Sequence, residues 1–564
     1  MNVIQAVKLY ITKMTEESGP GMKVIVMDKE TTSIVSMVFS QSEILQKEVY
    51  LFERIDSHTK WDNLKHMKCI VFVRPTSENI ALLSRELRFP KYGVYFIYFS
   101  NVISKADIKT LAECDEQEAV REVQEVFADY LAVDRHIFSF NIVGCLHGRS
   151  WNQHHLQRCA QGLFALLMSL KRRCVVRYEA ASEPCARLAE RVRDLQRREA
   201  VLIDNNIPFN GDIPTPQLLI IDRRDDPVTP LLNQWTYQAM VHELLTINNN
   251  RVSLAHFKEV VLSSEQDEFY AKNLYSNFGE IGQTMKSLMD EFQKKAKSHQ
   301  KVESINDMKN FVETYPLFKK MSGTVTKHVT VVGELSSCVT RHNLLEVSEL
   351  EQEIACQSDH SKHLQRLKNL LSNESVRHHD AAKLVALYAL RYEKHASNAL
   401  PSLIDALKSR DTPEQLVRAV VNLVEYGGAH ARQSDLFGLQ DAVKITQRLF
   451  KGLSGVENIY TQHNPLLKDT LEDLIKGKLR ENLYPTLGGD DGSYSRRPQD
   501  VIVFIVGGIT YEEAFCVHQV NQNYPGVRIV LGGTTVHNST SFLEEVKSAM
   551  QGVHRIHTRH IKNV

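Results

Sequence analysis

Two apolar runs near the end of the 564-residue chain constrain the fold more than any other feature. Val501 to Val506 and Val527 to Leu531 are rich in Val and Ile, and each is followed by a helical pattern, which is typical of parallel strands buried on both faces. A two-stranded sheet is only marginally stable in water, so these strands must join an earlier sheet. The economical partner is the sheet that contains Leu218 to Ile221, which makes the intervening helical region an insertion.

A first α/β domain precedes that sheet. Three apolar runs, Met22 to Met27, Cys69 to Val73 and Val94 to Phe99, alternate with helical sequence and predict buried parallel strands. We therefore predict an α/β fold with two parallel-sheet domains and a mostly helical domain inserted in the second. The predicted segments are residues 1–130 for domain 1, 131–247 and 481–564 for the two parts of domain 2, and 248–480 for the helical domain 3.

Composition excludes several classes of protein. Hydrophobic residues make up 43% and charged residues 24% of the chain, which rules out collagen, a pure coiled coil and a wholly disordered chain. Lys plus Arg and Asp plus Glu both number 68, so net charge provides no attraction to nucleic acid. The nine cysteines are scattered and never spaced C-x-x-C, as in a reducing compartment. Neither a membrane span nor a lipidation signal is expected, so another molecule would hold the protein at a membrane.

An aspartate cluster and two glycine pairs are the candidates for enzymatic chemistry. Asp222, Asp225 and Asp226 follow a predicted buried strand, where carboxylates often bind a divalent metal. With the Gly507-Gly508 turn, they could serve a metal-dependent phosphoryl-transfer or hydrolytic enzyme. The favoured interpretation is structural, because Arg223 and Arg224 lie between the aspartates and two prolines follow, as in a turn whose carboxylates pair with arginines or cap a helix.

A basic stretch raises the possibility of lipid binding. Lys171 to Arg198 holds nine basic residues against four acidic ones, a surplus that could favour anionic lipid. Leu188, Val192 and Leu195 recur at helical spacing, however, and favour a packed helix with a solvated basic face.

The helical region contains a proline that could end a helix. Tyr315-Pro316 interrupts a helical pattern, and the amphipathic run Phe318 to Val339 follows. Such a pattern predicts either a packed hairpin or a segment that receives a partner helix through spaced apolar anchors.

Five segments of the chain together resemble the SM (Sec-one/Munc-eighteen-like) family, whose members bind syntaxins and SNARE bundles. They occur in the family's order and cover essentially the whole chain. The segments are Cys69 to Thr76, Tyr92 to Ser104, Leu218 to Leu245, Asp500 to Ala514 and Val527 to Val546. Three further stretches look most like the endosomal branch of the family: Asn233 to Leu245, Val325 to Ser336 and Val456 to Leu467.

The resemblance implies a protein that binds rather than catalyses. It implies an arch of three domains, no cofactor or metal, and an aspartate cluster that is scaffold. The implied partner is a syntaxin of the trans-Golgi and endosomal type, similar to syntaxin-sixteen, with its SNARE partners, and no nucleic acid. The implied form is a cytoplasmic monomer held peripherally, through the syntaxin, on Golgi, trans-Golgi-network and endosomal membranes.

The resemblance also implies three sets of site residues. A pocket for a syntaxin N-terminal peptide would use Ile108, Leu111, Val120, Val123, Glu125, Val126 and Phe127, although these could equally be the buried stripe of a helix. A central cleft would use Ser36, Ser40 and Glu53. A helical hairpin with its tip at Pro316 would align SNARE helices through Pro316, Leu317, Phe318, Met321 and Val325.

Overall fold

The computed structural model divides into two compact units. The first unit comprises Met1–Asp222, Asp469–Ile509 and Val517–Val536, and the second comprises Arg223–Lys468, Thr510–Cys516 and the chain from His537. The residues that the structure describes are 1–57, 63–207, 214–254, 257–300, 305–434, 436–437, 459–487 and 497–552.

The first unit begins with a five-stranded, all-parallel sheet. Its strands are β1 (Lys23–Met27), β2 (Val49–Arg54), β3 (Leu64–Val73), β4 (Tyr92–Phe99) and β5 (Val120–Glu125), in the order β2-β1-β3-β4-β5. The three strands that the sequence predicted are therefore confirmed as the centre of the sheet, because they are the apolar runs buried on both faces.

Five helices accompany this sheet: α1 (Val3–Glu17), α2 (Lys29–Val38), α3 (Gln41–Leu45), α4 (Ser77–Arg88) and α5 (Lys105–Cys114). Each begins at a side chain that accepts a hydrogen bond from the first turn, as Asp28 does for α2 and Ser104 for α5. These capping hydrogen bonds fix the residue at which each helix begins.

The second sheet confirms the discontinuous domain that the sequence predicted. It has seven strands: β6 (Leu131–Asp134), β7 (Ile137–Ser139), β10 (Val175–Tyr178), β11 (Gln217–Asp222), β14 (Thr486–Leu487), β15 (Asp500–Val506) and β17 (Arg528–Gly533). The order is β14-β10-β11-β15-β17-β7-β6, so β15 lies between β11 and β17. Leu218 is in register with Ile502 and Ile220 with Phe504, as expected for strands that share a buried sheet.

The remaining elements of the first unit lie between these strands. They are β8 (Leu146–His147), β9 (Ser150–Trp151), α6 (Gln153–Ser169), α7 (Glu183–Arg198) and α8 (Ala200–Asn206). One continuous hydrophobic core joins both sheets and α6, with Phe138, Phe140 and Phe504 packed ring against ring. Gly532 is needed there because a Cβ at that position would overlap the ring of Phe138.

The second unit is mostly helical. Its described helices include α9 (Tyr237–Leu245), α10 (Glu268–Asn273), α11 (Phe278–Gln300), α12 (Ile305–Arg341), α13 (Leu344–Cys356), α14 (His360–Leu371), α15 (His378–Arg391), α16 (Leu400–Ser409) and α17 (Glu414–Gly427). A hairpin of β12 (Arg251–Leu254) and β13 (Phe257–Val261) follows α9. The last part of the chain, which is divided between the two units, contains α18 (Leu466–Ile475), β16 (Ile509–Thr510), α19 (Tyr511–Asn523), β18 (Val536–His537) and α20 (Ser539–Met550).

The compact helical unit starts earlier than the predicted helical domain. It takes in the chain from Arg223 onward, whereas the sequence assigned residues up to 247 to the second α/β domain. Val228, Leu231 and Leu232 explain the difference, because they are buried in the same hydrophobic cluster as α13, α15 and α17.

Candidate functional site

The strand β5 and the helix α5 carry the residues proposed for peptide binding. β5 is an edge strand that pairs only with β4 among the described strands. Val120, Val123 and Glu125 are in register with Tyr95, Ile97 and Phe99, whose side chains form the hydrophobic cluster shared with α4 and α5. The three side chains therefore lie on the same side of the sheet as α5, so residues 120–125 are not the stripe of a helix.

Only part of this set is accessible to a partner. Ile108 on α5 and Val123 on β5 are each 41% exposed, while Val120 is half-buried. Leu111, Val126 and Phe127 are buried, and Phe127 packs edge to face against Phe164 in the core. The structure thus leaves Ile108 and Val123 as the apolar surface.

Glu125 has a structural contact within this region. Its carboxylate accepts a hydrogen bond from the backbone N–H of Ile103 at 2.9 Å, in the turn that leads into α5. Burial raises the pKa of Glu125 above its ordinary value. Glu125 therefore fixes the turn beside the exposed residues and retains only part of its capacity to accept a partner's hydrogen bond.

The proposed cleft residues do not lie together. Ser36 is exposed on α2, and Ser40 caps α3 by accepting a hydrogen bond from the N–H of Glu43. Glu53 on β2 is in register with Val26, whose side chain belongs to the cluster covered by α4, whereas α2 packs on the opposite face of the sheet. The structure therefore separates Glu53 from Ser36.

Sequence reasoning missed three exposed apolar side chains on β2 and α3. Tyr50 and Phe52 on β2 are 57% and 36% exposed, and Leu45 at the end of α3 is 40% exposed. In the structure Val49–Arg54 alternates covered and exposed residues, as a half-covered strand does. Its sequence begins with four apolar residues in succession and so gives no signal of which face is exposed.

The expected break at Pro316 is not present in the backbone. Helix α12 runs without interruption over 37 residues, Ile305–Arg341, so Pro316 lies within the helix and not at its end. A proline lacks one N–H donor, and a helix of this length keeps its other hydrogen bonds. The side chains of Pro316 and Leu317 lie outside the described part of the structure.

The other proposed hairpin residues lie along α12. Phe318 stacks on Phe292 of α11 with ring centroids 5.2 Å apart and planes within 12°. Met321 is half-buried and Val325 is buried. The two helices therefore form a packed hairpin, which was one of the two outcomes that the sequence allowed.

The three aspartates are occupied by structural hydrogen bonds. The Asp222 carboxylate accepts from the hydroxyl of Ser182, and Asp226 accepts from the backbone N–H groups of Val228 and Thr229. Asp225 accepts from the backbone N–H groups of Gln433 and Ser434 at 2.8 and 2.9 Å. Within the described ranges, no group of three or more His, Cys, Asp or Glu side chains is placed to hold a metal ion.

Arginine pairing completes the structural role of this cluster. Arg223 is buried and donates both of its terminal nitrogens to Glu513 at 2.8 and 2.7 Å. Burial would by itself raise the pKa of Asp226, but the charge of Arg223 and the hydrogen bonds from Thr229 hold it below its ordinary value. Gly507 and Gly508 have φ of +89° and +92°, which explains that glycine pair as a turn.

We expect Asp225→Asn to destabilise the helical unit by about 1–3 kcal/mol. One oxygen of Asp225 accepts from the two backbone N–H groups and the other accepts from the hydroxyl of Ser434, whereas an amide offers only one acceptor oxygen. The midpoint of urea unfolding measures the change. Asp405→Asn, at an exposed position of α16, is the control and should stay within about 0.5 kcal/mol. A midpoint that rises with added Mg²⁺ in the wild type and not in Asp225→Asn would contradict the structural role.

The basic stretch is largely a packed helix, as the sequence favoured. Leu188, Val192 and Leu195 form the buried face of α7. Several of its arginines have partners: Arg187 pairs with Glu183 at 2.6 Å, and others pair outside the helix. Among the described residues, every helix is too short or too polar to cross a bilayer.

Comparison with known proteins places these features in context. The sequence model of the Sec1 family matches residues 23–545. The chain is 60% identical over 562 residues to Vacuolar protein sorting-associated protein 45 of Rattus norvegicus, covering 98% of this chain and 97% of that protein. It is 34% identical over 582 residues to the protein of the same name from Saccharomyces cerevisiae, covering 97% and 100%.

Solved structures show the same similarity over the whole chain. The SM protein Vps45 in complex with the Qa SNARE Tlg2 (1-310) is 44% identical, with a TM-score of 0.90 and coverage of 98% of this chain and 100% of that one. The Unc18–syntaxin 1 complex from Monosiga brevicollis is 21% identical with a TM-score of 0.80, covering 98% and 100%, and shows likeness of fold alone.

Proposed function

This chain belongs to the Sec1 (SM) family, and on that premise we propose that it binds a syntaxin of the trans-Golgi or endosomal type and promotes assembly of that syntaxin's SNARE complex. The observation that carries the proposal is the likeness, over nearly the full length of both chains, to a solved SM protein bound to a Qa SNARE. The implied partner is similar to syntaxin-sixteen, and the process is vesicle transport between Golgi and endosomes.

The proposed mechanism is templating. Two helices held side by side on one surface no longer have to find each other and align in solution, so the entropy cost of their meeting is reduced. The α11–α12 hairpin, with Phe318 and Met321, is the proposed surface for SNARE helices, and the buried Val325 supports it from the base. Ser36, Ser40 and Glu53 remain proposed for a central cleft, with Glu53 on the other side of the first sheet.

Binding without bond-breaking is part of the proposal. It is supported by the three aspartates, whose carboxylates accept structural hydrogen bonds. It is also supported by the glycine pairs, which allow a turn at Gly507-Gly508 and close packing at Gly532. We further propose a monomer that works in the cytoplasm, peripherally on Golgi, trans-Golgi-network and endosomal membranes, and that is held there through its syntaxin.

The direct test is a binding assay with purified components. The cytoplasmic domain of a syntaxin-sixteen-type protein, with and without its N-terminal peptide, should be retained by this protein. Titration against closed syntaxin, open syntaxin and the assembled SNARE bundle then ranks the three states. The proposal fails if none of these forms binds.

For the syntaxin N-terminal peptide we propose the exposed apolar surface formed by Ile108 and Val123, with Val120 beneath it. A hydrophobic peptide side chain would bury apolar area against these residues, and a few such anchors carry most of the binding energy of an interface. Leu111 supports this surface from the cluster beneath α5, and Glu125 fixes the turn before α5. Val126 and Phe127 remain proposed for the pocket, although their side chains pack in the core that contains α6.

We expect Val123→Arg to weaken binding of the N-terminal peptide by about tenfold or more, because a charged side chain replaces an apolar contact that the peptide would bury. Calorimetric titration with the isolated peptide measures the change. Val123 is preferable to Val120, whose side chain packs against the buried cluster and whose replacement would disturb folding.

Val143→Arg is the matched control. Val143 is 46% exposed in the same unit, outside β5 and α5, so it tests the effect of adding an arginine to the surface. Equal losses in both variants, or wild-type affinity in Val123→Arg, would place the peptide elsewhere.

A further inference from the structure

The α11–α12 hairpin has a buried base and a more exposed distal part. In α11 the last buried side chain before residue 297 is Met285, and in α12 the first buried side chain described is Val325. The described side chains between them, residues 286–296 and 318–324, are half-buried or exposed. Among the side chains that the structure describes, those that hold the hairpin in the unit's core lie at its base.

His328 lies at this base and is fully buried in the middle of α12. Its Nδ1 lies 2.7 Å from the hydroxyl of Tyr237 on α9, and its Nε2 lies 2.9 Å from the carboxylate of Asp267. Both ring nitrogens are thus engaged by elements that precede the hairpin in the chain.

Chemistry assigns the direction of these two hydrogen bonds. Burial would raise the pKa of Asp267, but His328 and Lys327 hold it well below its ordinary value, so the carboxylate is ionised and can only accept. Nε2 must then carry the hydrogen. Burial also lowers the pKa of His328, so Nδ1 of the neutral ring accepts from the Tyr237 hydroxyl.

Asp267 links two helices with its two oxygens. Its Oδ1 accepts from the backbone N–H of Tyr270 at 3.0 Å and so caps α10, while its Oδ2 accepts from His328 and from Lys327. Lys327 in turn donates to the backbone carbonyl of Val261 in β13 at 3.0 Å. One carboxylate therefore fixes α12 to the start of α10 and, through Lys327, to the strand hairpin.

Aromatic rings enclose the histidine. Phe269 and Tyr270 of α10 lie with their ring centroids 4.6 and 6.3 Å from that of His328, and Tyr237 lies at 5.8 Å. The start of α11 is tied to the same place, because the N–H of Phe278 donates to the carbonyl of Trp235 at 3.0 Å. Both helices of the hairpin are therefore attached close to Tyr237.

We infer that Tyr237, His328 and Asp267 form a pin that fixes the base of the α11–α12 hairpin and so sets the direction in which its distal part is presented to a SNARE helix. The presentation to a SNARE helix rests on the proposed function, whereas the pin itself rests on the contacts above. His328 is a positioning residue, because its side chain is buried and cannot touch a partner. The pin confines any rearrangement of the hairpin to the residues beyond it.

Amide hydrogen exchange on the full chain without any partner tests the pin. In the wild type, amides of α12 from Val325 to Arg341 should exchange more slowly than those from Phe318 to Thr324. Tyr237→Phe, which removes one oxygen, and His328→Leu should each speed exchange in the first of these segments by at least about fivefold. His328→Gln should restore much of the protection, because an amide supplies both a donor and an acceptor.

Two comparisons separate the pin from a general loss of stability. Exchange in α15 of the same unit should stay at the wild-type rate in all three variants. Tyr130→Phe removes another buried hydroxyl, bonded to Ser169 in the first unit, and should leave α12 unchanged. Unchanged exchange in α12 of His328→Leu, or equal acceleration in α15, would overturn the inference.

A second readout links the pin to the proposed function. Tyr237→Phe and His328→Leu should slow the SNARE assembly that this protein stimulates by about fivefold, with unchanged affinity for the syntaxin N-terminal peptide. If the wild type stimulates no assembly, the proposed function fails, while the exchange data still decide the pin. If these variants exchange faster in α12 but still assemble SNARE complexes at the wild-type rate, the pin does not determine how the hairpin is presented to a SNARE helix.

Discussion

Asp129→Ala should destabilise the first unit by about 3–5 kcal/mol, because it leaves two buried arginines without their shared carboxylate. Asp129 is fully buried between β5 and β6. One carboxylate oxygen lies 2.9 Å from Nε of Arg74 and 3.3 Å from a terminal nitrogen of Arg158, and the other accepts from the side-chain amide of Asn101 at 3.0 Å. Arg74 follows a strand of the first sheet, and Arg158 lies on α6.

The guanidinium midpoint of the first unit, followed by circular dichroism, measures this loss. Glu30→Gln is the control, since Glu30 pairs with the same two arginines at 3.2 and 3.0 Å but its side chain is 47% exposed. An exposed pair contributes little, so the control should lose less than about 1 kcal/mol. Similar losses of stability in the two variants would show that the burial of Asp129 does not increase its contribution to stability.

The same carboxylate predicts a dependence on pH. Burial would raise the pKa of Asp129, but Arg158 and Arg74 outweigh it and hold the pKa below its ordinary value of 3.8. The stability that Asp129 contributes is therefore complete above about pH 4 and is lost as the pH falls through the lower, folded-state pKa. Asp129→Ala should show a flatter loss of stability below pH 4 than the wild type.

Lys383→Met should destabilise the helical unit by a similar amount, about 3–5 kcal/mol. The ammonium of Lys383 is fully buried, 3.4 Å from Glu243, 3.5 Å from Glu351 and 3.6 Å from Asp380. Burial would lower the pKa of Lys383, but these carboxylates outweigh it and hold the pKa above its ordinary value. Without Lys383, the buried carboxylates repel one another with one cation fewer to balance them.

Acid should partly rescue Lys383→Met. Burial raises the pKa of Glu351 to about 7 even with Lys383 beside it, and the variant should raise it further. A carboxylate whose pKa is raised in the folded state favours folding at low pH, so the variant should regain stability between about pH 7 and pH 5. Lys362→Met, at a lysine whose side chain is 50% exposed, should change stability by less than about 1 kcal/mol. A Lys383→Met protein that loses stability steadily over that range would refute this account.

The sequence predicted those strands whose side chains are buried on both faces of a sheet. β1, β3, β4 and β15 are runs of apolar residues, and such runs can be recognised without knowing their neighbours. The union of β11 and β15 was predicted from the instability of a lone pair of strands, and the register confirms it. β5 was not predicted, because Val120–Glu125 has only two apolar residues, three positions apart, and so shows neither an apolar run nor the strict alternation of a strand.

The candidate site was harder to predict because it depends on which face of a sheet each side chain occupies and on contacts between residues that are far apart in the sequence. Glu53 is separated from Ser36 by strand register, which no local pattern specifies. The backbone of α12 continues through Pro316 although a proline removes one hydrogen-bond donor, so the proline does not by itself mark the end of a helix. His328 lies among mixed polar and apolar residues of α12, and its partners Tyr237 and Asp267 are far away in the sequence.

The placement of β15 between β11 and β17 has a consequence for biosynthesis. A ribosome releases β7 and β11 well before it has made β15 and β17, so both early strands wait with an unsatisfied edge while the whole helical insertion is translated. Open apolar edges of this kind invite pairing with other nascent chains, and chaperones shield them. A premature stop codon anywhere before β15 would therefore leave the second sheet of the first unit without its centre, however complete the helices before it.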